Sequence, residues 1–124
     1  MDTANFSRLI ALNKAESNEE QHTFNIKINP EHSIFEGHFP ERAILPGVVM
    51  VEIFKRAVES VVGKPVRIQE SKSLKFLKMV EPAETTKLQL SLKVVTDGNG
   101  FSARGELHNE AGVYFKEMAS FVED

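Results

Sequence analysis

The sequence predicts an α+β domain in which long antiparallel strands pack with one substantial helix. Three observations lead there. The stretch "TKLQLSLKVV" alternates cleanly, with Leu88, Leu90, Leu92 and Val94 on one face, the period of a half-buried strand. Two turn signals, "TDGNG" and "NEAG", join consecutive strand-like runs as hairpins. Only one stretch, from Pro46 to about Val62, carries a long run of apolar residues at helical spacing. With 124 residues, 41% of them hydrophobic, the chain suits one core and one domain over residues 1–124.

Each element follows from local pattern. Phe6 to Lys14 is aliphatic and fits a strand or a short helix, and the polar "AESNEEQ" after it reads as a turn. "HTFNIKIN" puts Phe24, Ile26 and Ile28 on one face of a strand, which makes a hairpin with the preceding segment. "PEHSIFEGHFPERAILPG" holds three prolines and two glycines, a density that marks an ordered irregular loop. Pro46 suits the first helical position, where its missing N–H costs nothing. The helix should bury Val51, Phe54, Val58 and Val61, with Met50, Ile53 and Ala57 beside them, and stop at "GKP". Glu52, Lys55, Arg56 and Glu59 fall opposite. "VRIQESKSLKFLKMV" then reads as one long strand, "FSARGELH" as another, and "VYFKEMASFV" closes the chain.

Composition excludes several functions. Net charge is −3 and no basic block exists, so no nucleic-acid partner is expected. The chain has no cysteine, which removes disulfides, thiolate metal sites and a cysteine nucleophile and fits a cytoplasmic location. "MDTANFSRLIALNKAES" has no basic start followed by a long apolar run, so it is not read as a signal peptide. Ile44 to Phe54 is nearly apolar but too short to span a bilayer, so no membrane insertion is expected. The four histidines share no close ligand spacing, so no metal is expected.

The chemistry-bearing residues gather in "IFEGHFPERAILPGVVMVEIFKRAVES". His38 lies between Gly37 and Phe39 in the proline-held loop. Glu52 interrupts the most apolar helix fourteen positions later. By itself Glu52 reads as part of a solvated face, with Glu52–Arg56 and Lys55–Glu59 as i,i+4 pairs worth about 0.3–0.5 kcal/mol each. His38 alone reads as a structural loop histidine. His32 reads as an exposed turn residue more readily than as part of a pocket entrance, and His22 and His108 have no assigned role.

At these residues the chain resembles the hot-dog-fold 3-hydroxyacyl-acyl carrier protein dehydratases of the FabZ/FabA type. His38, Phe39, Pro40, Pro46, Gly47, Val48 and Glu52 fit that family's pattern with no gap between histidine and acid. Lys75, Phe76, Val80 and Pro82 fit a second segment, in which Ala83 and Glu84 replace the usual Gly and Asp. Three features depart from the family. The N-terminal helix usual in the housekeeping enzymes has no room here. "IFKR" follows Glu52 where small apolar residues and a glutamine are common. Glu41 and Ala43 replace a Gly and a Pro of the loop.

The resemblance implies a curved antiparallel sheet wrapped around one long central helix. It also implies a homodimer whose sites pair one subunit's histidine with the other's acid, and a trimer of dimers is compatible with it. The expected substrate is a 3-hydroxyacyl group carried on the phosphopantetheine of acyl carrier protein, and no cofactor is needed. His38 suits the base that takes the C2 proton. Glu52 suits the acid that protonates the leaving hydroxyl. Backbone amides at Gly47 and Val48, at a helix start, suit the thioester oxygen. Phe35 and Phe39 are candidates for the substrate wall, as is Phe76, although core packing is the commoner role of any one phenylalanine. Arg42, Lys72, Lys75 and Lys78 are candidates for meeting the acidic carrier protein. Glu52 in place of Asp leans towards simple dehydration without isomerisation. Two other readings remain: a hot-dog acyl thioesterase, and a non-catalytic acyl-carrier-binding or scaffold subunit in which Arg56 holds Glu52 ionised.

Overall fold

The computed structural model describes residues 1–36 and 43–124. A short helix α1 (Thr3–Leu9) leads into β1 (Ile10–Asn18) and β2 (Gln21–Ile28). A single 3-10 turn covers Ser33–Phe35. The long helix α2 (Gly47–Val62) follows, then β3 (Val66–Phe76), β4 (Lys87–Asp97), β5 (Gly100–Asn109) and β6 (Gly112–Glu123). The strands form one six-stranded sheet in the order β1-β2-β4-β5-β6-β3, antiparallel throughout.

Alternation decides the sheet's two faces. Phe24, Ile26 and Ile28 of β2, Leu88, Leu90 and Leu92 of β4, and Phe115, Ala119 and Phe121 of β6 are buried on the inner face. Against them α2 buries Val49, Met50, Ile53, Phe54, Ala57 and Val58. At the centre, the ring of Phe54 lies 6.4 Å from that of Phe115 and 5.6 Å from that of Phe121, both near edge-to-face. Six residues of straight strand span about 20 Å, so β6 bends around the helix to bring both rings to one side chain. Gly105 opposite leaves room for this ring: a Cβ there would stand 2.5 Å from Phe54 Cδ1. One long helix held in a bent antiparallel sheet is the architecture that the resemblance implies.

Several boundaries differ from the sequence reading. Phe6 to Lys14 is both helix and strand, divided at Leu9 and Ile10, so an N-terminal helix of seven residues does find room. Asp2 caps it, accepting from the Asn5 N–H at 2.8 Å. The polar segment after Lys14 is mostly strand, and only Glu19 and Glu20 turn. β1 is an edge strand with a bulge between Lys14 and Glu16, so its polar residues face solvent at no packing cost. Pro46 is the N-cap rather than the first helical residue. Val51 and Val61 are only half-buried, while Val49 is buried. The strand from Val66 ends at Phe76 rather than Val80, because Leu77 and Lys78 turn their N–H groups to the Tyr114 carbonyl.

Among the described inner-face residues, His22 and Glu117 break the apolar pattern. Glu117 is 2% exposed and lies on β6 between Phe115 and Phe121. Burial pushes its carboxyl above the ordinary glutamate range, only partly offset by the Ser71 hydroxyl, which donates to Oε2 at 2.9 Å. A group with a raised folded pKa contributes stability that is complete below its unfolded pKa and is lost as pH rises through the folded value. Glu117→Gln removes that titration. Melting curves between pH 4.5 and 8 should therefore diverge, with the variant gaining on the native protein as pH rises. Parallel pH profiles would show that the carboxyl does not titrate differently on folding.

Candidate active site

The first turn of α2 is the organising feature. Pro46 provides no side-chain cap, and helix geometry leaves the earliest N–H groups without intrahelical acceptors. Gly47 sits here, under the ring of Phe76 at the end of β3. A Cβ on Gly47 would stand 2.9 Å from that ring, so the glycine lets the end of β3 close over the helix start. Phe76 also packs against Phe115, with ring centroids 5.7 Å apart and planes tilted by 44°, yet remains 51% exposed.

Val48, Glu52 and Arg56 are spaced four apart and share one face of α2. This face points away from the sheet. Val48 is 74% exposed, and the side chains of Glu52 and Arg56 are 20% and 19% exposed. Glu52 Oε1 lies 3.6 Å from Arg56 Nε, an ion pair longer than a hydrogen bond. The expected Lys55–Glu59 pair does not form among the described residues. Glu59 Oε2 instead accepts the Val66 N–H at 2.9 Å and ties the end of α2 to β3.

His38 and Phe39 lie outside the described residues, as do Pro40 and Arg42. The chain on either side of them is anchored. Before the loop, His32 is buried rather than exposed as expected: its Nδ1 accepts the Ile34 N–H at 2.9 Å, so Nε2 carries the proton and donates to Asn5 Oδ1 at 2.9 Å. After the loop, the Leu45 N–H donates to the Val80 carbonyl at 2.8 Å. Phe35, in the 3-10 turn, is partly buried against the core. Gly47, Val48 and Glu52 thus converge at one end of α2.

Val48, Leu74, Phe76, Leu77 and Met79 are exposed large apolar residues, each at least 42% accessible. Phe76 and Val48 adjoin through Gly47, and Leu74 lies on β3, whose outer edge is unpaired in the sheet. Lys75 pairs across strands with Lys116, while Lys78 donates to the Ala111 carbonyl at 3.0 Å and sits over the Tyr114 ring. Among the described residues no group of three or more His, Asp or Glu could hold a metal ion. No helix among them is long and apolar enough to cross a membrane.

The sequence reading missed what Arg56 does. Its guanidinium reaches α1, donating to Thr3 Oγ1 at 3.2 Å and the Met1 carbonyl at 3.4 Å, and lies 4.5 Å above the Phe6 ring. The i,i+4 spacing signalled the Glu52 contact, but nothing in the local pattern signalled one more than fifty residues away.

Known proteins resemble this chain in sequence and in fold. The model of a family described as ApeI-like, ApeI dehydratase, matches residues 14–112. The 3-hydroxyacyl-[acyl-carrier-protein] dehydratase FabZ of Lactobacillus helveticus is 32% identical over 85 residues, covering 63% of this chain and 56% of that protein. The chain thus spans just over half the length of the first such relatives it matches. Among solved structures, the dehydratase heterocomplex ApeI:P of Xenorhabdus doucetiae superposes with a TM-score of 0.63 at 16% identity, covering 89% of this chain and 94% of that one. A mutant hypothetical thioesterase of Streptococcus pneumoniae gives 0.66 at 13% identity, covering 91% and 90%. Likeness at such identities establishes the hot-dog fold and nothing finer.

Proposed function

The chain belongs to the ApeI-like dehydratase family, and from that premise we propose that it dehydrates 3-hydroxyacyl thioesters carried on acyl carrier protein to trans-2-enoyl thioesters. The observation that carries this reading is that the family match, over residues 14–112, spans the segment holding His38, Gly47 and Glu52. His38 takes a proton from C2. The C2–C3 double bond forms as the C3–O bond breaks. Glu52 supplies the proton with which the hydroxyl leaves as water. The amides of Gly47 and Val48 face the thioester oxygen, on which negative charge builds in between. They suit that role because the first amides of a helix lack intrahelical acceptors.

In this reading the protein works as a homodimer in which one subunit's His38 faces the partner's Glu52. The exposed apolar residues on and after β3, next to the start of α2, support an interface there. The Xenorhabdus assembly is a dehydratase heterocomplex, and a second hot-dog subunit would suit the same edge. Phe35 and Phe39 form part of the substrate wall, and the pathway is fatty acid synthesis or a specialised polyene or polyketide-like one. The Streptococcus pneumoniae protein keeps a thioesterase as the second reading, on fold alone. Incubation with 3-hydroxyacyl and saturated acyl carrier protein thioesters separates the two. Enoyl product is expected. Free thiol from the saturated thioester, without enoyl product, would replace dehydration by hydrolysis, and neither product would point to the scaffold reading.

A further inference from the structure

Arg56 is held more firmly than an exposed helix arginine needs to be. One terminal nitrogen donates to Thr3 Oγ1 at 3.2 Å, the other to the Met1 carbonyl at 3.4 Å, and the guanidinium plane covers the Phe6 ring at 4.5 Å. Phe6 itself is 4% exposed, so the ring is a fixed platform. Three contacts from α1 and the residues before it therefore set the plane and direction of the guanidinium. Nε–H, by contrast, is buried and has no hydrogen-bond partner. The nearest carboxylate, Glu52 Oε1, stands 3.6 Å from it. A buried donor without an acceptor carries a cost. Closing this gap by a few tenths of an ångström would remove the cost and fix the carboxylate.

We infer that Arg56 is a positioning residue for Glu52, and that α1 is the strap that aims it. The inference rests on the proposed dehydratase reading for its catalytic consequence, but the geometry stands without it. The strap holds Arg56, Arg56 Nε–H gives Glu52 Oε1 a fixed donor, and in the acid form of Glu52 the proton sits on the other oxygen, which is left to face the substrate. A bidentate grip would have used both oxygens. The 3.6 Å contact engages Oε1, so Oε2 stays available to the leaving hydroxyl. His32 adds to the same frame: it hydrogen-bonds Asn5 of α1 and also caps the turn that leads into the His38 loop. The short helix thus touches both Arg56 and the turn at Ser33–Phe35.

The test compares Arg56→Gln, Arg56→Lys, and a strap variant, Thr3→Val with Phe6→Leu, which keeps apolar volume while removing the hydroxyl and the ring. With a 3-hydroxyacyl carrier-protein substrate, Arg56→Gln should lower kcat by about 10–100-fold, the scale expected for a misplaced reacting group, with KM changed less than about threefold. Arg56→Lys should recover only part of the loss, because a lysine cannot hold the strap and Glu52 together. The strap variant should lower kcat by several-fold, yet add nothing in the Arg56→Gln background. Multiplicative losses, or an unchanged kcat in Arg56→Gln, would overturn the inference. If the native protein turns over no such substrate, the functional reading fails, and the side-chain carboxyl resonance of Glu52 decides the geometry alone. It should move when the strap is altered in the native background and stay still in the Arg56→Gln background. Movement in both, or in neither, would overturn the positioning role.

Discussion

His38→Ala and Glu52→Gln should each lower dehydratase turnover by about 10²–10⁴-fold, the range for a positioned acid or base, while both proteins stay folded. The fold predicts this tolerance for Glu52, which lies on the face of α2 turned away from the sheet and is not among the residues that the helix buries. The two variants should also complement each other. Glu52 lies about 9 Å along the helix axis from Pro46, at 1.5 Å per residue, and in the proposed dimer it meets the partner's histidine rather than its own. Random mixing makes about half of the dimers mixed, and each mixed dimer has one intact site and one doubly defective site. Refolding the two variants together should thus restore about a quarter of native activity, for a closed two-fold dimer. A refolded mixture with demonstrable mixed dimers and no recovered turnover would place both residues of a working pair in one chain. Near-native turnover in both single variants would remove the catalytic assignment altogether.

The largest effect on stability is expected at Phe54. Its side chain is fully buried and stands between Phe115 and Phe121, where the sheet bends around α2. Phe54→Ala should cost about 3–5 kcal/mol, because a cavity opens that the surrounding rings cannot fill. That is a large share of the roughly 5–15 kcal/mol that holds a domain together, and melting should fall by more than about 10 °C. Gly105→Ala tests the same contact from the other side, since its methyl would meet the Phe54 ring at a distance real Cβ atoms do not reach. It should cost about 1–3 kcal/mol through overpacking, and less in a Phe54→Leu background, where the ring is gone. Chemical denaturation of the native protein, the two single variants and the double variant measures the coupling. Independent, additive losses would mean that ring and glycine do not share one space.

Much of this architecture was legible in the order of residues, because the periods that reveal it are local. Leu88, Leu90, Leu92 and Val94 alternate because a strand buries every second side chain, and all four are buried. The helix from the Pro46–Gly47 start to Val62 was visible in its apolar spacing and its stop at Gly63. The family pattern at His38, Gly47 and Glu52 is likewise a matter of spacing along the chain. Other features depended on what meets across distance. Phe6 to Lys14 fits two local structures, and only Arg56 of α2 and the pairing of Ile10 with Ile28 divide it into helix and strand. His32 looks like a turn residue until Asn5, twenty-seven positions earlier, gives its Nε2 a partner. Glu117 sits in an alternating strand as an error of pattern, and Ser71 on a neighbouring strand supplies its hydrogen bond. Local chemistry was enough to set most of what buries and where the chain turns, since those follow from each residue's own character and its near neighbours. Which polar groups pair, and in what direction, emerged only in the folded chain. A hydrogen bond needs its partner within about 3 Å, and sequence separation places no limit on which partner that is.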